Sequence, residues 1–302
     1  MIRLAHYSDL HVTSPPRGES LRRFAGKRLI GVCKYYFAGH RRHFGDAHHR
    51  LQQLLEDIDA QGVDHALCTG DLTATSLESE FLRCAEVYGP RLVQPQRHTV
   101  LPGNHDRYTR RSAHEQRFER WFGGLSAPVP RTPSSKQLGR GVRLVTLDVA
   151  RPTWPVDASG LCGRDQLARL RVVLAEGLLA GEFMIVALHY GLSAPSRGPA
   201  SWLCRLRDAR SLTELLDAQD VRVDLILHGH RHQAYRAGTK RHPVVCSGSA
   251  TDLRSAPGYN IYTIDPRRSC LSVERRVWSP ECDTYVNATS ERLDGGRRPT
   301  DS

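Results

Sequence analysis

The chain has 302 residues, 39% of them hydrophobic and 25% charged, a balance that excludes a disordered chain and supplies enough apolar side chains for a substantial core. Its net charge of +11, with 15 histidines besides, favours anionic partners such as nucleotides, nucleic acid or anionic lipid headgroups. The eight cysteines contain no CxxC pair, which argues against a zinc ribbon or a disulfide framework.

The N-terminal MIRLAHYSDLHV lacks the basic start and apolar stretch of a secretory signal, and no apolar run approaches the ~20 residues of a spanning helix, so a cytoplasmic location is expected. Ile2 to Leu10 reads as a buried strand that gives way to a loop at Asp9 and His11. Residues 47–60 place Leu51, Leu54, Leu55 and Ile58 at i, i+3, i+4 and i+7 behind Asp46 as N-cap, which predicts an amphipathic helix. A short apolar run from His65 to Thr69 follows and ends in Gly70-Asp71. The pattern repeats as a helix over 78–88, a strand over 98–101 ending in Pro-Gly-Asn-His-Asp, and a helix over 110–122. The second half predicts strands at 142–148, 183–188, 223–227, 243–247, 259–264 and 271–277, with helices at 164–179 and 211–218. Such alternation predicts a layered α/β architecture, antiparallel where the late strands follow one another without helices. With no repeat or linker, residues 1–286 are expected to form one domain, and the polar stretch 287–302 a disordered tail.

Five segments carry the chemistry: Asp9-Leu10-His11, Gly70-Asp71, Gly103-Asn104-His105-Asp106, His189, and Gly229-His230-Arg231-His232. Each sets a metal-binding or proton-carrying side chain at the end of an apolar strand. Taken singly, such a motif is more often a turn or a helix cap. Oxygen and imidazole donors together suit divalent Mn, Fe or Zn, and the absence of Cys among them argues against a structural zinc site. In a two-metal site, ions ~3.5–4 Å apart share one carboxylate and a solvent molecule, whose lowered pKa supplies hydroxide to attack phosphorus.

In this order the five segments resemble the signature of the calcineurin-like metallophosphoesterases: D-x-H, G-D, G-N-H-D or G-N-H-E, a lone His, and G-H-x-H. The resemblance runs from Ile2 to about Thr263. It implies a four-layer αββα sandwich, mixed β-sheets flanked by helices, with two divalent metal ions at the strand ends. It implies Asp9, His11 and His232 as ligands of one metal, Asn104, His189 and His230 as ligands of the other, and Asp71 as the bridge. His105 is then a catalytic residue facing the substrate, where a protonated imidazole steadies the transition state or protonates the leaving oxygen, and Asp106 orients it. In the family the position of His228 is not usually a ligand, which makes it a supporting or packing residue.

Asp71 follows Asp9 by 62 positions, a long separation for this family, and the excess falls in residues 15–45. That segment holds Arg17, Arg22, Arg23, Lys27, Arg28, Lys34, Arg41 and Arg42 against the single acid Glu19, interleaved with apolar side chains such as Leu21, Phe24, Ile30 and Tyr35. A helical lid is expected there, contacting an anionic phosphate-containing substrate or the inner membrane surface, with a solvated loop as the competing reading. His40, His43, His48 and His49, interleaved with arginines, are expected on the surface. The motifs point to hydrolysis of a phosphate ester or diester. One alternative is a pyrophosphatase of lipid A synthesis acting on UDP-2,3-diacylglucosamine, although that enzyme carries Arg where His105 stands. Another is a cyclic nucleotide phosphodiesterase, weakened by Tyr190 after His189, or a nuclease, for which no nucleic-acid-binding module is present. The non-enzymatic alternative, a scaffold on an inactive fold, conflicts with the retention of all seven ligand positions.

Overall fold

In the computed structural model, residues 1–14, 27, 40–139, 141–192, 203–238, 242–265 and 270–293 are described. Two six-stranded sheets form the framework. The first runs β12 (Thr284–Leu293), β11 (Cys270–Ser279), β10 (Gly258–Asp265), β1 (Ile2–Tyr7), β2 (His65–Cys68), β3 (His98–Val100). Within it β1, β2 and β3 are parallel, and β10, β11 and β12 continue antiparallel from β1. The second runs β4 (Ser134–Gly139), β5 (Val142–Leu147), β6 (Phe183–Leu188), β7 (Leu225–His228), β9 (Pro243–Cys246), β8 (Tyr235–Gly238), with antiparallel pairs only at its two edges.

Alternation along the strands sorts the apolar side chains into three cores. Leu4, Leu67, Leu144, Ile185, Leu225 and Tyr262 meet between the sheets. Ala5 and Tyr7, one step along β1, face outward onto the helices Ala47–Ala60 and Glu78–Tyr88, where Leu51, Leu54, Leu55 and Ile58 form the buried stripe. Val145 and Val186 likewise face the helices Arg164–Leu179 and Ala209–Leu216 through Leu170, Leu174 and Leu212. The result is the expected helix–sheet–sheet–helix sandwich, in which each fully buried Leu or Ile contributes roughly 1.5–3 kcal/mol.

Several expectations need correction. The helix expected over 110–122 is two short helices, Arg110–His114 and Arg117–Phe122, separated at Gln116, whose φ of 49° leaves the helical region. The tail expected from 287 is instead the second half of β12, which pairs with β11 out to Leu293. Polarity misled there because this edge strand exposes most of its second half and needs only backbone hydrogen bonds on one side. Residues 294–302 lie outside the described residues. So does most of the basic segment 15–45; Lys27 and residues 40–45, which include the short helix His40–Phe44, are its described parts. Among the described residues no helix is long and apolar enough to cross a membrane.

Candidate metal centre

The carboxyl ends of β1, β2, β3, β6 and β7 all reach one edge of the sandwich, where open α/β sheets place their ligands. The loops leaving β1 and β2 run side by side: Asp9 donates its N–H to the Gly70 carbonyl at 2.9 Å, and Leu10 and His11 donate theirs to the Asp71 carbonyl at 2.8 and 3.0 Å. Asp9, His11, Asp71, His230 and His232 all have positive φ, between 46° and 71°. Such backbone costs non-glycine residues energy and persists only where surrounding structure enforces it. Two glycines permit the close approach. A Cβ at Gly103 would run into the Asp71 carboxylate, and one at Gly229 into Ser8 Oγ and the Asp9 carboxylate.

The seven predicted ligand side chains converge. Asp9, His11 and His232 can direct one donor atom each to a common point, as can Asp71, His189 and His230; His11, Asp71 and His105 form a third such group. His11 Nε2 and His232 Nε2 are 3.0 Å apart, and Asp9 Oδ1 lies 3.6 Å from His232 Nε2. On the other side, His189 Nε2 is 3.2 Å from Asn104 Oδ1 and 3.3 Å from His230 Nδ1. Asp71 Oδ2 stands between the two sets, 3.7 Å from His11 Nε2 and 3.4 Å from His189 Nε2.

Outward contacts decide which ring nitrogens carry hydrogen. His189 Nδ1 meets the Thr69 carbonyl at 2.8 Å, His230 Nε2 the Cys204 carbonyl at 2.9 Å, and His232 Nδ1 the Asp252 carboxylate at 2.9 Å. A carbonyl or carboxylate only accepts, so each of these nitrogens donates, and the inward nitrogen of each neutral ring presents a lone pair. His230 Nδ1 and His189 Nε2 therefore face one another as two acceptors, beside the acceptor Asn104 Oδ1 and two buried carboxylates. Such a set is unfavourable by itself and fits a cation at its centre.

The ionisable groups respond to the same crowding. Burial lifts the pKa of Asp9. Burial would also lift Asp71, but His189, His105 and His11 hold it well below the ordinary carboxylate range. Burial opposes protonation of His189, yet the charge and hydrogen bond of Asp71 raise its pKa to about 9. His11 and His230 are lowered, burial being the main cause in both.

His105 lies beside the same group, its ring centroid 4.6 Å from that of His11. Its backbone N–H donates to Asp71 Oδ1 at 2.7 Å and its Nδ1 meets the Ala74 carbonyl at 2.6 Å. Its ring stacks on Tyr108, and the Lys27 ammonium lies 4.8 Å from the Tyr108 ring centroid. Burial lowers the His105 pKa, against the pull of Asp71. Asp106 does not orient the His105 ring as expected. Its carboxylate accepts from the N–H groups of Leu72, Thr73 and Gly103 at 3.2, 3.0 and 2.9 Å, so it ties the two ligand loops together. Burial and the charge of Asp71 raise its pKa to about 7. His228 is buried with Nδ1 at its neighbour's carbonyl and Nε2 3.3 Å from the Tyr235 hydroxyl, a packing role as expected. Sequence reasoning missed Asp252, which orients His232 and is itself gripped by Arg254 through several N–H contacts. Burial opposes its ionisation, but these hydrogen bonds hold its pKa far below the usual range.

The sequence profile described as calcineurin-like phosphoesterase matches residues 2–234. No curated protein sequence gives a match. Among solved structures, a dimetal phosphatase from Danio rerio superposes with a TM-score of 0.63 at 13% identity, covering 95% of this chain and 98% of its own. A zinc-complexed Vps29 from Entamoeba histolytica gives 0.41 at 13% identity, covering 97% and 98%. With a profile match across most of its length, the chain belongs to the calcineurin-like phosphoesterase family.

Proposed function

We propose that this phosphoesterase hydrolyses phosphate esters at two divalent cations that share Asp71. The observation that carries this reading is the inward-facing ring of acceptors: imidazole lone pairs, an amide oxygen and two buried carboxylates, gathered around two points with Asp71 Oδ2 between them. Asp9, His11 and His232 would hold one cation, and Asn104, His189 and His230 the other. When bound, the cations supply a water of lowered pKa and offset the charge that develops on phosphorus.

The chain's own groups do the rest. Thr69, Cys204 and Asp252 lock the tautomers of His189, His230 and His232, so the ligand set is organised before any substrate arrives. The His105 N–H occupies Asp71 Oδ1 and leaves Oδ2 to the centre. The His105 ring, held at Nδ1 by Ala74 and stacked on Tyr108, presents Nε2 to a bound ester. The negative charge of the ester favours the protonated ring that burial disfavours, and Nε2 then delivers its proton to the leaving oxygen as the P–O bond breaks.

The test is turnover of bis-p-nitrophenyl phosphate and p-nitrophenyl phosphate by Mn²⁺-loaded protein, with Asp71→Ala as control. Release of p-nitrophenol from at least one ester, abolished in the variant, is expected. A correctly folded, metal-loaded protein that turns over neither would overturn the reading.

A further inference from the structure

Beside the metal centre lies a concentration of positive charge for which the hydrolytic step has no use. Arg207 Nε donates to Ser159 Oγ at 2.9 Å, and Arg151 Nη2 donates to the same oxygen at 3.2 Å, so two guanidinium groups crowd one hydroxyl. Lys27 Nζ joins them, donating to Thr153 Oγ1 at 2.8 Å and to the Asp157 carbonyl at 3.0 Å. The one carboxylate in this network is Asp157, which takes Arg207 Nη2 at 2.7 Å and the Ser159 N–H at 2.8 Å. Three cations thus share one anion, and both burial and the proximity of Arg207 disfavour the charge on Arg151.

Stability does not explain the arrangement. The segment 157–160 is already fastened to 203–207 by main-chain bonds: Ala158 N–H to the Leu203 carbonyl at 2.7 Å, Gly160 N–H to Arg205 at 3.0 Å, and Arg207 N–H to Gly160 at 3.0 Å. Placing like charges on one hydroxyl adds repulsion to a joint that needs no further support. The same segment does reach the metal centre. Cys204 offers its carbonyl to His230, and Arg207 follows by three residues, so their Cα atoms lie within about 11 Å. From the other side Tyr190 packs its ring 4.3 Å from that of His230 and donates its hydroxyl to the Ala158 carbonyl at 2.7 Å, next to Ser159.

We infer that Arg151 and Arg207 bind a second phosphate group of the substrate while its scissile phosphate sits at the metal centre. This rests on the hydrolase reading above and narrows it to substrates that carry two separated phosphates. A guanidinium has five N–H donors in a planar fork suited to phosphate oxygens, and among the described residues the Nη1 groups of both arginines make no hydrogen bond to protein. A bound phosphate relieves the repulsion between the two cations, which is the balance the protein alone does not supply.

The experiment compares binding of propyl phosphate with a series of α,ω-alkanediol bisphosphates of three to six carbons, by calorimetry on full-length Mn²⁺-loaded protein. At least one bisphosphate should bind about tenfold to hundredfold tighter than propyl phosphate, the range expected for charge-assisted hydrogen bonds. In Arg207→Gln and Arg151→Gln the ratio should fall towards one, and Arg151→Lys, which keeps the charge without the fork, should fall in between. Equal affinities in the wild type, or a preference that survives in both glutamine variants, would overturn the inference. Hydrolysis of bis-p-nitrophenyl phosphate and p-nitrophenyl phosphate in the same samples keeps the two claims apart. A bisphosphate preference without turnover supports the subsite and contradicts the hydrolase reading, whereas turnover without the preference does the reverse.

Discussion

A buried histidine at the amino end of β2 and the histidine cluster beyond the carboxyl ends of β6 and β7 differ in how their hydrogen bonds close. At the amino ends of β2 and β3, His65 sets Nδ1 on the Gln96 carbonyl at 3.0 Å and Nε2 on Thr99 Oγ1 at 2.9 Å. Lys136, from the other sheet, donates to Thr99 Oγ1 at 2.8 Å and to the Pro95 carbonyl at 2.6 Å. Protons therefore run in one direction, from Lys136 to Thr99 to His65 to Gln96, and every His65 nitrogen is satisfied. Beyond β6 and β7, His189, His230 and His232 turn their donors outward; the inward nitrogens of His189 and His230 face one another and that of His232 faces His11, with Asp9 and Asp71 alongside. Histidines and burial are common to both ends. What separates a structural cluster from a metal centre is the carboxylates and the surplus of acceptors.

The comparison can be broken most directly at His105, the centre's imidazole that the proposal uses for proton transfer. His105→Ala should lower turnover by ~10²–10⁴-fold while metal content, measured by elemental analysis, stays at the wild-type level. Because His105 also lies within reach of His11 and Asp71, loss of metal in that variant would move it into the ligand set. Next in size, Asp252→Asn removes the carboxylate that fixes the His232 tautomer and should weaken metal affinity by ~10–100-fold in a competition titration with a chelator. An unchanged affinity would show that His232 needs no such partner. The last test lies at the amino end of β2. Burial, followed by the charge of Lys136, lowers the pKa of His65 to about 3 from 6.5. Its folded form thus stays neutral where the unfolded chain takes up a proton, and the associated stability is full above pH 6.5 and is lost as pH falls towards 3. Melting temperature should decline over that window, and less steeply in His65→Gln; parallel curves for the two proteins would contradict this.

The sequence showed most of the site because its chemistry is local in the chain. Gly70-Asp71, Gly103-Asn104 and Gly229-His230 each set a ligand beside a glycine, and that glycine gives room to another loop of the centre: Gly70 to Gly103 and His189, Gly103 to Asp71, and Gly229 to Asp9. Helices with a full apolar stripe were equally legible, and Glu78–Tyr88 and Arg164–Leu179 fall where periodicity puts them. Edge strands were not: β4, β8 and the second half of β12 expose alternate or most side chains and lack an apolar run. Asp252 stayed hidden because it reaches His232 from 20 residues away in a segment with no motif of its own. Asp106 was given the wrong role for a related reason. Adjacency to His105 in sequence suggested contact, whereas the turn sends its carboxylate to the backbone of Leu72, Thr73 and Gly103.

Anomalous diffraction from crystals grown with Mn²⁺ tests the central claim most directly. Two peaks about 3.5–4 Å apart are expected, one against Asp9, His11 and His232 and the other against Asn104, His189 and His230, with Asp71 touching both. A single ion, or two that do not share Asp71, would contradict the binuclear account.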